Sequence, residues 1–187
     1  MKTLDLGSVD KNWTLFLDRD GVINREKDQS YIFHYGEFVF YEGVKKALEF
    51  LGRRFGRIIL VTNQKGIGKG LMTEQDLHSI HDHMTREILQ EGGRIDAIYF
   101  APSLQNDHPD RKPNPGMAFK AQKDFPGLDL SRSIMVGNNL SDMEFGRNAG
   151  MFTVFLRTTS PELPLPHPSV DLWYDNLQDF AKALQGL

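Results

Sequence analysis

The chain contains no cysteine. That excludes disulfides, thiolate metal sites and a thiol nucleophile, and it suits a reducing cytoplasm. Positive charge is not in excess either: 22 Lys and Arg stand against 25 Asp and Glu, for a net charge of −3. A nucleic-acid binder carries a basic face, so no nucleic-acid partner is expected. No apolar run approaches the length of a membrane span, and residues 1–11 lack the apolar core of a signal peptide. A cytoplasmic protein without a membrane partner is the resulting expectation. Internal repeats and linker-like stretches are also missing. What remains is an ordinary globular composition, 40% apolar and 25% charged, in 187 residues, which suffices for one domain with a real core.

What is present is a series of apolar segments that end in polar groups. Trp13 to Leu17 runs into Asp18-Arg19-Asp20-Gly21. On an extended chain Asp18 and Asp20 point to one side and Arg19 to the other, and Gly21 lets the backbone turn. Two carboxylates this close repel each other, so a divalent cation is an expected companion. Arg57 to Val61 stops at Thr62-Asn63-Gln64, and the glycine-rich stretch Lys65 to Leu71 is of a kind whose N–H groups can cradle a phosphate. Ile95 to Phe100 leads into a polar, proline-rich loop, Ala101 to Pro115, with Arg111 and Lys112 held beside Pro113 and Pro115. Ser133 to Val136 ends in Gly137-Asn138-Asn139-Leu140-Ser141-Asp142, and Phe152 to Leu156 and Val170 to Trp173 supply the last strands.

Helical periodicity fills the intervals. Val44, Leu48 and Leu51 share a face in Glu42 to Arg54. Thr73 and Asp76 form a capping-box pattern opening a helix to about Gln90. Gly116 to Asp124, Met143 to Asn148 and Leu177 to Leu184 follow. Met1 to Asn12 reads as a mobile lead-in and Ile23 to Tyr41 as a long aromatic loop or small flap. His78, His81 and His83 read as a solvated helix face rather than a metal site. The alternation predicts one α/β domain over residues 1–187 with a mainly parallel sheet. Such sheets bind ligands at the carboxyl ends of their strands, where all the polar clusters fall.

Those clusters suit a small phosphate monoester. Asp18 can attack phosphorus to form an aspartyl phosphate. Asp20 can protonate the leaving oxygen and then deprotonate the hydrolytic water. Lys112 and Mg²⁺ can neutralise the phosphoryl group, Thr62 and the N–H of Asn63 can hydrogen-bond it, and Asn138 and Asp142 can complete or orient the cation's oxygen shell.

Asp-Arg-Asp-Gly-Val-Ile-Asn at 18–24, Val-Thr-Asn-Gln at 61–64 with Gly-Ile-Gly-Lys-Gly after it, Arg-Lys-Pro-Asn-Pro-Gly-Met at 111–117 and Val-Gly-Asn-Asn-Leu-Ser-Asp-Met at 136–143 resemble, in order, the four motifs of the haloacid dehalogenase (HAD) superfamily. The closer resemblance is to its branch of heptose bisphosphate and histidinol phosphatases. It implies a Rossmann-like three-layer αβα sandwich with a minimal cap, Mg²⁺ dependence and a small phosphorylated metabolite as substrate. It further implies Asp18 as nucleophile and metal ligand, and Asp20 as acid/base that lends its main-chain carbonyl to the metal. Thr62 and Lys112 would bind the phosphoryl group and Arg111 the substrate. A monomer is expected, because minimal-cap members close their site alone. The chain departs from that pattern twice. The branch's zinc-binding cysteines before the Arg-Lys-Pro motif are missing, and Asn138 stands where the motif carries a metal-binding Asp, which predicts weaker Mg²⁺ binding. A phosphate-binding or regulatory protein that has lost efficient turnover is the alternative.

Overall fold

Strand β1 (Thr14–Leu17) is buried at every residue and has a parallel neighbour on each side. The computed structural model describes residues 3–27 and 29–186. Five more strands join β1: β2 (Arg57–Asn63), β3 (Ala97–Ala101), β4 (Ser133–Gly137), β5 (Phe152–Leu156) and β6 (Leu172–Tyr174). They form one six-stranded sheet in the order β3-β2-β1-β4-β5-β6, parallel throughout. The helices are α1 (Val44–Arg54), the single turn α2 (Lys65–Gly68), α3 (Glu74–Gln90), α4 (Gly116–Asp124), α5 (Leu140–Asn148) and α6 (Leu177–Gln185).

The two-residue period of a strand sorts the apolar runs into two cores. Leu15, Leu17, Ile58, Leu60, Ile134 and Val136 face one way, onto Leu48 and Leu51 of α1, Ile80 and Met84 of α3 and Phe180 of α6. Phe16, Ile59, Val61 and Met135 face the other way, onto Met117 and Ala121 of α4 and Phe145 of α5. The result is the expected three-layer sandwich. Because β1 is central and the chain winds outward from it in both directions, the crevice between the ends of β1 and β4 is the ligand position of such a sheet.

Three local expectations are corrected. Residues 3–12, read as a mobile lead-in, pack on the body: Leu4 and Val9 belong to the first core. Helix α5 begins at Leu140 rather than Met143, because Asn139 and Asp142 cap it reciprocally and bring the polar motif inside the helix start. The glycine-rich stretch after β2 begins as the turn α2 rather than as an open loop. The aromatic segment 23–41 folds back as a flap, pinned at its base where Arg25 N donates to Val39 O (2.8 Å) and Tyr41 N to Ile23 O (3.1 Å). Its Tyr35 stacks on Phe38 and on His83 of α3.

Candidate active site

Asp18, Asp20, Thr62, Asn63, Lys112 and Asp142 line one cleft of about 240 Å³ at the C-terminal edge of the sheet. Its floor is an ion triad. Lys112 Nζ lies 2.9 Å from Asp18 Oδ1 and 2.7 Å from Asp142 Oδ1, and it donates to the main-chain oxygen of Val61 at 3.0 Å. All three side chains are buried. Burial pushes the Asp18 carboxyl up to about 7, with Lys112 pulling it down and Asp142 pushing it further up. Burial works against the Lys112 ammonium, but the two carboxylates outweigh it and hold its pKa above the ordinary lysine value. Lys112 reaches this position because Asn63 clips its backbone: Asn63 Nδ2 donates to Lys112 O (3.1 Å), and Lys112 N donates to Asn63 Oδ1 (3.0 Å).

Asp20 lies in a cradle of donors. Arg19 reaches it through Nε (3.2 Å) and Nη2 (2.8 Å), Asn24 through Nδ2 (2.9 Å) and Gln64 through Nε2 (3.2 Å). Burial tends to raise the Asp20 carboxyl, but Arg19 and these hydrogen bonds prevail and hold it below the usual carboxylate range. Arg19 therefore does not point away from its acidic neighbours as an extended chain requires. The strand ends at Leu17 and the chain bends at Arg19, so the guanidinium turns back onto Asp20. Its remaining arm, Nη1, sits 3.3 Å from His81 Nε2. His81 is itself buried, and desolvation with the nearby Arg19 charge lowers its pKa to about 3, so it is the neutral acceptor of that contact.

Of the three histidines of α3, His78 and His83 are exposed as a solvated face requires, and His81 alone departs from that reading. His81 is in the interior, His83 stacks on Tyr35, and His78 meets Phe100 edge-on. Among the described residues no group of three or more His, Cys, Asp or Glu side chains is arranged to hold a metal. The spacing Leu77, His81, Met84 was the available signal for His81, since it shares the apolar stripe of its helix.

Arg111 is not among the residues lining the cleft. It is buried in the 101–115 loop, where Nη1 donates to Ser103 O at 3.2 Å. Asn114 Nδ2 donates to Asn106 O (2.9 Å) and His108 O (3.0 Å). Side-chain amide and guanidinium bonds thus brace the loop that carries Lys112 without any cysteine.

Asn138 follows β4 and is fully buried. Its side chain lies against Gly21, where a Cβ would come within 2.1 Å of Asn138 Nδ2 and where φ is +81°. Only glycine meets both demands, so the turn after Asp20 and the start of motif four are built on each other. Asn138 Oδ1 is buried without a hydrogen-bond partner. Asn138 is not itself among the residues lining the cleft, but its main-chain N–H donates to the buried Asp142 carboxylate (3.1 Å), and a buried, unpaired amide oxygen is a ligand type that a hard, oxygen-seeking cation takes.

Residues 110–179 match the HAD-hydrolase-like family model. The chain is 43% identical to a D-glycero-α-D-manno-heptose-1,7-bisphosphate 7-phosphatase of Burkholderia mallei, over 78% of this chain and 80% of that protein. The chain belongs to the HAD family of phosphatases. Within that family it is also 39% identical to the Campylobacter jejuni enzyme of the same name, over 78% of this chain and 83% of that one. Among solved structures it is similar to the D,D-heptose 1,7-bisphosphate phosphatase of B. bronchiseptica complexed with magnesium and phosphate, with a TM-score of 0.84, 28% identity, and 93% and 98% of the two chains covered. This HAD phosphatase carries Asp18 and Asp20 at the tip of its central strand, in the cleft described above. Among its described residues no helix is long and apolar enough to cross a membrane.

Proposed function

We propose that this phosphatase removes a phosphate group from heptose 1,7-bisphosphate through a phosphoryl-Asp18 intermediate. The observation that carries the reading is the convergence of Asp18, Asp20, Thr62 and Lys112, from three separate strand ends, on one cleft. In the first step an Asp18 carboxylate oxygen attacks phosphorus, the ester P–O bond breaks, and Asp20 in its acid form gives its proton to the leaving sugar oxygen. In the second step water attacks phosphorus, Asp20 takes the water's proton, and the Asp18–P bond breaks to release phosphate. Lys112 neutralises charge on the transferring group, and the Thr62 hydroxyl donates to it. Asp20 rests ionised in its cradle, so it must take up a proton from solvent or from the substrate's own phosphate group before the first step, and the water of the second step returns one to it.

The Asp18 carboxylate, the Asp20 main-chain carbonyl and Asn138 Oδ1 would hold Mg²⁺, with Asp142 behind them. The ion would supply positive charge at the phosphoryl oxygens. Bound magnesium in the B. bronchiseptica enzyme and the orphaned Asn138 oxygen support this assignment. The working form is a monomer in the cytoplasm, in keeping with a cleft lined by one chain and with the absence of cysteine.

A cation on Asp18 must displace its proton. Since that carboxyl is raised to about 7 in the cation-free protein, apparent Mg²⁺ affinity is expected to fall as pH drops below that value and to level off above it. Calorimetric titrations between about pH 5 and pH 9 should show a loss of roughly tenfold per unit on the acid side. The substrate assignment is tested by phosphate release from heptose 1,7-bisphosphate, histidinol phosphate and an aryl phosphate. Preference for the bisphosphate by kcat/KM is expected, and equal or better use of histidinol phosphate would overturn the assignment.

A further inference from the structure

The cleft's carboxylates are not equally paired. Asp18 and Asp142 share Lys112, and Asp20 has Arg19. Glu26, on the flap side of the same cleft, has no cation within ion-pair distance among the described residues, and the charges it faces are those of Asp20 and Asp142. Its neighbour Lys27 is turned to Glu37 at 2.7 Å. Glu26 Oε2 lies 3.5 Å from Asn138 Nδ2, at the edge of hydrogen-bond range. Asn138 Nδ2 also donates to Thr159 Oγ1 at 2.6 Å, so the same amide nitrogen faces both the Glu26 carboxylate and the Thr159 hydroxyl.

This arrangement fixes which end of the amide faces which way. A carboxylate oxygen and a hydroxyl oxygen both face the NH₂ end of Asn138, so the carbonyl end is turned away from them and remains the buried, unpartnered oxygen. The formal charge that Asn138 lacks is present one side chain away. We propose that Glu26 is the charge-compensating residue of the cation site: it stands in the outer shell of the bound dication and, with Thr159, orients the Asn138 carbonyl toward it. The inference rests on the Mg²⁺-dependent reading above and assigns a role to residues outside the four motifs. Residues behind the ligands commonly set metal affinity in this way, by orientation and by charge.

Mg²⁺ binding to the full chain, measured by calorimetry without substrate, tests it. Glu26→Gln keeps the shape and removes the charge, and it should weaken Mg²⁺ binding by about 10- to 100-fold without lowering the metal-free melting temperature. Returning the charge to the inner position, in the double variant Glu26→Gln/Asn138→Asp, should restore affinity to within a few-fold of the unaltered chain. Wild-type affinity in Glu26→Gln, or a double variant that stays weak, would overturn the inference and leave the phosphatase reading standing. Failure of the unaltered chain to bind Mg²⁺ would overturn both.

Discussion

Asp18→Asn is expected to abolish phosphate release, lowering kcat by more than about a thousandfold, with no loss of fold. The amide has nearly the shape of the carboxylate, and its oxygen can still accept from Arg19 N, as Asp18 Oδ1 does at 2.8 Å. It lacks the negative charge that makes a carboxylate oxygen a nucleophile, so no acyl phosphate forms. The stability side follows from linkage. The Asp18 pKa is raised from 3.8 in the ordinary state to about 7 in the fold, so the native state holds this proton more tightly than the unfolded chain does. That contribution is present below the unfolded value and is lost as pH rises through the folded one. In the metal-free protein at pH 8 the Asp18 charge therefore opposes folding, and the asparagine variant should melt at the same temperature as the native chain or above it. Steady-state assays beside thermal unfolding without Mg²⁺ check both halves. Near-native turnover would remove Asp18 as nucleophile.

Lys112→Met should damage turnover less than the loss of the nucleophile does but, unlike the first variant, should also damage the fold. Lys112 offsets charge on the transferring group, and loss of one such donor costs on the order of a hundred- to a thousandfold in kcat. It also neutralises two buried carboxylates at 2.9 Å and 2.7 Å. Removing one member of a buried ion cluster leaves the others unpaired in a poorly solvating site and costs about 3 kcal/mol or more. Asp18, already raised to about 7 by burial, then loses the cation that pulls it down. The variant's stability deficit should accordingly be larger at pH 8 than at pH 5, which denaturant titrations at the two values would report. Lys112→Arg should not rescue activity, because the planar guanidinium cannot place donors on Val61 O and both carboxylates in a slot shaped for an ammonium. A deficit independent of pH would mean that the triad does not control the ionisation of these carboxylates.

The layers were readable from the chain because each strand is a short apolar run ending in polar groups and helices α3, α5 and α6 carry their own side-chain caps. Thr73 and Asp76 open α3 as their spacing predicts. The start of α5 was harder, since Asn139 and Asp142 belong at once to a site motif and to a capping box. At the site, Asp18, Asp20, Thr62 and Lys112 converge as their positions at strand tips suggest. The turn of Arg19 onto Asp20 was not legible, because a bend after the strand and a buried His81 on another helix decide it. The resemblance implies Arg111 as a substrate contact; that its guanidinium also braces the 101–115 loop was not legible in the motif. Glu26 and Thr159 stand 112 and 21 residues from Asn138 along the chain, so no local pattern could join them to it.

The covalent step itself can be trapped. An aryl phosphate has a leaving group that needs no proton, so Asp20→Asn should still transfer the phosphoryl group to the protein but lack the base for its hydrolysis. Acid-quenched Asp20→Asn protein, digested and analysed by mass spectrometry, should carry one phosphoryl group on the peptide containing Asp18, and none when Asp18→Asn is added. Phosphate released by Asp20→Asn with no phosphorylated peptide, or with the group on another residue, would contradict hydrolysis through Asp18.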